Sequence, residues 1–327
     1  MPAPTSKPST ARRLRAALGL LTGLATLTVS APAVASTLAV EADGTMRFTA
    51  ARGEVNHVVA NDLLVRRTMV ITDSGSVISV GAGCSAVTAH EAHCPYEPQR
   101  DQPLAIDLRD GDDYARAFKI AFGAIEIAGG TGEDTIVDAP QYGAVVDGGP
   151  GADVINVHPN YGGHVDVHGR GGDDRITADS ATGSVAGDAG DDRIDLRVVI
   201  NPTGGAPGSS VTGGVGDDTI TAANFSFFEL ADGGPGSDTI VSEASAVIAH
   251  ITGGGGGDTI RSSADSPTAT AVDAGSGPDT VDGGGGGDAI DCGAGPDRYV
   301  AYAGDAVTRC ETPFTPSVPT TLLGAGA

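Results

Sequence analysis

Between residues 106 and 300 the chain places two kinds of apolar position on either side of a polar, glycine-rich turn. On the leading side stand Ile127, Val146, Val167, Val185, Val211, Ala231, Ile251 and Val272. On the trailing side stand Ile136, Ile155, Ile176, Ile194, Ile220, Ile240, Ile260 and Val281. Each leading residue is followed by its trailing partner nine positions later, whereas the return gaps run from nine residues (Ile176 to Val185) to seventeen (Ile194 to Val211). One turn of the repeat is therefore locked in length and the other is free. Packing alone would not impose that asymmetry; a ligand held by backbone atoms on the locked side would. β-Branched residues suit pleated strands, and a unit this small buries its apolar face only by stacking on copies of itself. Ile106 and Ala115 extend the pattern in front, Ile290 and Tyr299 behind. The prediction is an all-β fold, a right-handed parallel β-roll or β-helix solenoid of about ten two-strand coils with an N-terminal β cap. At strand spacing the rod would be roughly 50 Å long.

The locked turn carries a nine-residue pattern, Gly-Gly-x-Gly-x-Asp-x-apolar-x. It reads GGTGEDTIV from Gly129, GGPGADVIN from Gly148, GRGGDDRIT from Gly169, GDAGDDRID from Gly187, GGVGDDTIT from Gly213, GGPGSDTIV from Gly233 and GGGGGDTIR from Gly253. AGSGPDTVD from Ala274, GGGGGDAID from Gly283 and CGAGPDRYV from Cys292 close the array, and a weaker LRDGDDYAR from Leu108 precedes it. The sixth-position aspartates on the locked side are Asp113, Asp134, Asp153, Asp174, Asp192, Asp218, Asp238, Asp258, Asp279 and Asp297, spaced 18 to 26 residues apart. One per coil, they form a column. Carboxylates stacked about 5 Å apart in a partly buried setting repel strongly, and cations between them remove the repulsion. Glycine lets the backbone adopt positive φ and approach an ion closely. Calcium takes six to eight oxygens at about 2.3–2.6 Å, more than one turn supplies but within reach of two. Ten aspartates leave nine gaps, hence up to about nine ions. The copy at Gly283 falls on the return side, so Asp288 stands apart and is the weaker ligand. Magnesium prefers rigid octahedral sites and keeps its water. Zinc is disfavoured because the turns offer no Cys or His pair. A metal-free solenoid would give the stacked aspartates no task.

This run resembles the calcium-binding nonapeptide of the repeats-in-toxin (RTX, hemolysin-type) proteins over about residues 106–300. The resemblance implies a parallel β-roll with calcium between adjacent turns. Its ligands would be the column aspartates and Asp288, with backbone oxygens around Gly129, Gly148, Gly213, Gly233, Gly253 and Gly283. Three features depart from the family. Most copies lie about 20 residues apart, which implies one main calcium column rather than two. Arg170 and Asp188 replace the second glycine of their turns. The family's toxins usually leave by a C-terminal signal, whereas this chain carries an N-terminal one, as do the exported RTX-like proteins of high-GC Gram-positive bacteria.

Composition narrows the partners. Forty-two acidic residues against 19 basic ones give a formal charge of −23, which opposes nucleic acid and anionic membranes and suits a hard cation. Fifty glycines oppose a helical protein. Residues 1–35 read as a signal peptide: Lys7, Arg12, Arg13 and Arg15 precede the apolar run Ala16 to Val29, and Ala33-Val34-Ala35 offers a cleavage site. The Arg12-Arg13 pair admits the twin-arginine route as well as the general one. Cleavage after Ala35 removes those four positive charges and no acid, turning −23 into −27. Nine divalent ions would bring the mature chain to about −9. Nothing later is long and apolar enough to span a membrane, so release to the outside is expected. Four cysteines allow three pairings, of which Cys84 with Cys94 and Cys292 with Cys310 is the simplest. His90, Glu91 and His93 lie between the first two, but H-E-x-H lacks the spacing that sets two imidazoles on one helical face, so a polar loop closed by a disulfide is expected.

The expected organisation is a cleaved segment 1–35, a capping region 36–105 with strands at Thr45–Ala50, Asn56–Val59, Arg66–Thr72 and Val77–Val80, the calcium-binding roll 106–311, and a flexible tail 312–327. Arg197–Ser210 reads as a protruding loop. Phe225, Phe227 and Phe228 read either as space filling beside Ala231 or as a partner patch. His158, His164 and His168 read as surface or strand-end residues. The function expected is a secreted calcium-binding module that folds on its ions, with no catalytic constellation in view. The alternatives are a β-helix enzyme acting on extracellular polysaccharide, a lyase or epimerase, and a cell-surface adhesin. An enzyme would need a base and a positive group beside the substrate carboxylate, and the strands carry little Lys or Arg.

Overall fold

The structure is a computed structural model that describes residues 35–63, 66–97, 102–118, 123–139, 143–159, 163–179, 182–197, 209–223, 227–243, 246–263 and 269–314. Four sequence expectations lie wholly or largely outside these residues: the signal peptide, the insertion after Arg197, the phenylalanine cluster and the tail beyond 314. Every regular element among the described residues is a strand.

Two long sheets face each other, one of 14 strands and one of 15, and from Leu104 onward the chain alternates between them. Within the solenoid all neighbours are parallel. In the 14-stranded leading sheet, Ile106, Ile127, Val146, Val167, Val185, Val211, Ala231, Ile251, Val272 and Ile290 stand in register. In the 15-stranded trailing sheet, Ala115, Ile136, Ile155, Ile176, Ile194, Ile220, Ile240, Ile260, Val281 and Tyr299 do the same. Apart from the half-buried Tyr299, these residues form the buried ribbon between the sheets. The nine-residue spacing is thus the distance from one inward stack, around the locked turn, to the other.

The solenoid begins earlier than the repeat does. Met46–Thr49 pairs in parallel with Leu104–Asp107, placing Phe48 on Ile106, and His57–Leu63 pairs in parallel with Tyr114–Phe118, placing Val58 on Ala115. Residues 46–63 therefore form a coil of their own, in which Val58 follows the stacked Phe48 by ten positions rather than nine. Only beyond it does pairing turn antiparallel: Ser36–Val40 lies on Met46–Thr49, Thr68–Asp73 on His57–Leu63, Glu91–Pro95 on Thr68–Asp73 and Ser85–Thr88 on Glu91–Pro95. Ile78–Val80 completes the leading sheet against Ser36–Val40. This end buries Leu38, Met46 and Phe48, among the largest core side chains. Cys84 and Cys94 are bonded, but across a hairpin rather than a loop, because Glu91–Pro95 is a paired strand with Cys94 fully buried.

The far end also runs on. Ala306–Thr308 adds to the leading sheet, with Val307 on Ile290, and Thr312–Pro313 adds to the trailing sheet. The Cys292–Cys310 bond pins this last turn to the coil before it.

Arg170 and Asp188 do not break their turns. They take left-handed backbone, φ 84° and 78°, as do the second glycines of the other copies. Arg170 donates from Nε and Nη2 to Asp147 Oδ2 at 2.9 and 2.8 Å. Left-handed backbone costs a non-glycine residue about 1–2 kcal/mol, while an exposed ion pair returns about 0–1 kcal/mol. Arg170→Gly is therefore expected to raise stability by up to about 2 kcal/mol. Thermal unfolding in millimolar calcium checks this; a drop of several degrees would mean that the ion pair outweighs the backbone.

Candidate metal centre

The ten locked-side aspartates converge on one edge of the rod, each just ahead of a trailing strand and each no more than 3 % exposed. A hydrogen-bond ladder fixes them. Asp113 N–H donates to Asp134 Oδ1 at 2.8 Å, Asp134 N–H to Asp153 Oδ1 at 2.8 Å and Asp153 N–H to Asp174 Oδ1 at 2.8 Å. The chain of bonds continues through Asp192, Asp218, Asp238, Asp258 and Asp279 to Asp297. Each aspartate's own carbonyl accepts the N–H that follows the aspartate one coil on, as Thr135 N–H to Asp113 O and Val154 N–H to Asp134 O.

The ladder assigns the stacked aspartates a task that needs no metal, which corrects the expectation that they would have none. A neutral acceptor would serve it equally well, since an asparagine Oδ1 also accepts. The second carboxylate oxygen is what distinguishes aspartate here. Oδ2 of all ten column residues is buried and meets no donor. An unpaired buried polar atom is costly, and an unpaired buried charge more so.

The first glycine of each turn faces that oxygen. A Cβ built on Gly129 would lie 2.5 Å from Asp134 Oδ2, and one on Gly253 would lie 2.5 Å from Asp258 Oδ2. Gly148, Gly169, Gly187, Gly213 and Gly233 meet the Oδ2 of Asp153, Asp174, Asp192, Asp218 and Asp238 in the same way. A backbone carbonyl of the next coil approaches the same space at six of these seven: Gly187 O is 2.6 Å from a Cβ on Gly169, and Gly253 O is 2.6 Å from one on Gly233. A carboxylate oxygen and a neutral carbonyl thus converge beside each of these glycines.

Burial sets the electrostatics. It pushes Asp113, Asp174, Asp192 and Asp218 up to about 7, and Asp134, Asp153, Asp238, Asp258 and Asp279 to about 6, against the pull of the N–H that each accepts. Neighbouring carboxylates push the same way, Asp153 on Asp174 for one. No column residue forms an ion pair among the described residues, where the arginines go instead to Asp107, Asp147, Asp188, Asp195, Asp291 and Glu41. No three His, Cys, Asp or Glu side chains come together as a metal-holding group among the described residues. Any cation on this edge would complete its shell with backbone oxygens. The donor set of one unpartnered carboxylate oxygen per coil with converging carbonyls fits a hard cation.

Several members of the site escaped the sequence reading. Asn56 N–H donates to Asp113 Oδ1 at 2.6 Å and starts the ladder; Glu311 Oε2 accepts from Asp297 N–H at 2.9 Å and ends it. Asn56 sits two residues before the stacked Val58, as each column aspartate sits two before its own stacked residue, and that offset could have revealed it. A second ladder runs along the fifth turn position with opposite polarity: Asp191 N–H donates to Asp173 Oδ1, Asp217 N–H to Asp191 Oδ1 and Ser237 N–H to Asp217 Oδ1. The repeated Asp-Asp pairs were its signal.

Asp288 stands apart from the column. It precedes a strand of the leading sheet, accepts Thr270 N–H at 2.7 Å and donates its own N–H to Asp305 Oδ1 at 2.8 Å. This is a short ladder on the opposite edge, where burial again raises the carboxyl and Oδ2 is again unpartnered. Gly283 faces Ile290, Asp305 and the Oδ2 of Asp288 there, not the column. The histidines do not converge: His158 Nδ1 meets Asp179 at 2.8 Å, His168 Nδ1 meets Asp188 at 3.0 Å, and His164 is exposed. His90 Nδ1 lies against the carbonyls of Asp73 and Ser76, while His93 Nε2 meets Glu91. No helix of the described residues is long and apolar enough to cross a membrane.

No family model matches the chain, and no curated protein matches it.

Proposed function

We propose that this chain is an exported calcium-binding β-solenoid of the RTX-like kind, a structural or binding module that completes its fold when its ions bind. One observation carries the reading: ten buried aspartates in one register, each with Oδ1 committed to a backbone N–H and Oδ2 left without a partner. The ladder holds adjacent coils in register and aims every Oδ2 the same way. The glycines keep the space beside it open. Bound calcium would supply the positive charge that lets these carboxylates ionise side by side. Export is supported by the basic and apolar segment at residues 1–35 and by two cysteine pairs at bonding distance.

Asp238→Asn and Asp288→Asn test the reading. Asparagine keeps the Oδ1 acceptor and removes the charge, so both variants should fold. Asp238→Asn is expected to lose the calcium held beside its own Oδ2 in native mass spectrometry and to weaken calcium affinity by at least tenfold. Asp288→Asn is expected to lose less, because it stands outside the column. Equal losses would contradict a single main column, and a wild-type protein that binds no calcium at millimolar concentration would remove the proposal altogether.

A further inference from the structure

The aspartate column is uniform, but the position facing it is not. The first residue of the turn is glycine in seven consecutive coils: Gly129, Gly148, Gly169, Gly187, Gly213, Gly233 and Gly253. Before that run the same position holds Leu108, and after it Ala274 and then Cys292. All three are fully buried members of the hydrophobic core cluster. Each of the seven glycines has no Cβ where one would press on the Oδ2 of its own coil's aspartate. Leu108, Ala274 and Cys292 have that Cβ, in the coils of Asp113, Asp279 and Asp297.

We propose that the ion column is a closed run of seven sites, those of Asp134, Asp153, Asp174, Asp192, Asp218, Asp238 and Asp258, and that apolar side chains plug it at both ends. This rests on the calcium reading above. It departs from counting gaps between aspartates, which gives nine. A methyl group at the first turn position occupies the side from which a cation would reach Oδ2, and it offers no oxygen in return. Asp113, Asp279 and Asp297 then act through the hydrogen-bond ladder, which runs through the plugged coils without a break; their Oδ2, buried and unpartnered like the other seven, is faced by an apolar side chain instead of an ion. The ladder alone continues the coil geometry into the cap at one end and the disulfide-pinned turn at the other.

The plugs suit the ends. The terminal coils pack on chain that is not repeated: the antiparallel cap beyond residues 46–63, and the Cys292–Cys310 turn. Apolar contact at the first turn position ties those coils to the core independently of any ion. The seven-glycine interior lacks that contact and depends on charge neutralisation.

The test is ion stoichiometry by native mass spectrometry in calcium, carried out in an Asp288→Asn background so that the opposite edge adds nothing to the count. Seven ions are expected. Ala274→Gly should open the Asp279 site and raise the count to eight, at little structural risk because only a methyl group is removed. Gly148→Ala should close one site and lower it to six, and Gly148 is suited to this because its φ is not in the left-handed range. Any other non-zero count in the background protein, or an Ala274→Gly variant that still binds seven, overturns the seven-site assignment while leaving calcium binding intact. A count of zero throughout instead overturns the calcium reading on which the assignment stands.

Discussion

Removing calcium at neutral pH is expected to abolish most of the β-structure of residues 106–300. At pH 7.5 the column residues would have to ionise side by side with no counter-charge, every Oδ2 buried and without a donor. Ions that bind the folded state alone stabilise it by mass action, about 2.7 kcal/mol for each site at a hundredfold excess over its dissociation constant. Several such sites together match or exceed the roughly 5–15 kcal/mol that holds a typical domain. Far-ultraviolet circular dichroism in chelator should show loss of the β signal, restored on titration with calcium and not with magnesium. The N-terminal end should respond least. It holds Leu38, Met46 and Phe48, the Cys84–Cys94 bond and antiparallel pairing, none of which needs an ion. Hydrogen exchange should therefore find protection surviving in residues 36–95 when the interior coils have lost it. An unchanged spectrum in chelator would refute coupled folding.

The sequence disclosed the interior of this molecule far better than its ends. Ile127 and Ile136, and every such pair through Val272 and Val281, could be placed because the locked turn repeats without length change, so each residue's stack and register followed from counting. Asp288 could be set apart for the same reason: the copy at Gly283 follows its predecessor too closely to share an edge with it. The coil at residues 46–63 could not be seen this way. Its turn is Ala51-Arg52-Gly53-Glu54, it is one residue longer, and Asn56 stands where the others have Asp. Tertiary pairing with Leu104–Asp107 and Tyr114–Phe118 makes it a coil, not a local pattern. The hairpin of Ser85–Thr88 and Glu91–Pro95 was hidden because Ser85–Thr88, exposed along its whole length, shows no alternation of apolar and polar positions to mark it off from a loop. At the candidate site, the spacing located every column aspartate but not the division of labour between its two oxygens. That division depends on the direction in which adjacent coils exchange hydrogen bonds, which residue spacing does not encode.

Proton and calcium should act on this fold as substitutes, which leads to a pH response opposite in sign to ordinary acid denaturation. Most acidic groups in folded proteins are held below their ordinary value, so the fold loses support as the pH falls. In this column burial holds nine aspartates above it, at about 6 to about 7. A carboxyl whose folded value is raised supports the fold in its protonated form. That support is complete below the ordinary value near 4 and disappears as the pH rises through about 6 to about 7. All nine act in the same direction, so their joint effect is large against the few kcal/mol by which a domain is stable. The chain in chelator is therefore expected to regain β-structure when brought from pH 8 to pH 5, with a midpoint between about 6 and about 7 and a steep slope reflecting uptake of several protons. In saturating calcium the same titration should show little change until protons displace the ions from their oxygens. Asp238→Asn, which keeps the ladder and removes one buried charge, should raise the stability of the metal-free protein at pH 8 while lowering that of the calcium-loaded protein. The two effects differ in sign because one carboxylate is a liability without its ion and a ligand with it. If the metal-free chain instead loses structure steadily as the pH falls from 8 to 5, the column carboxylates are already stably ionised in the fold, and charge neutralisation is not what their ions provide.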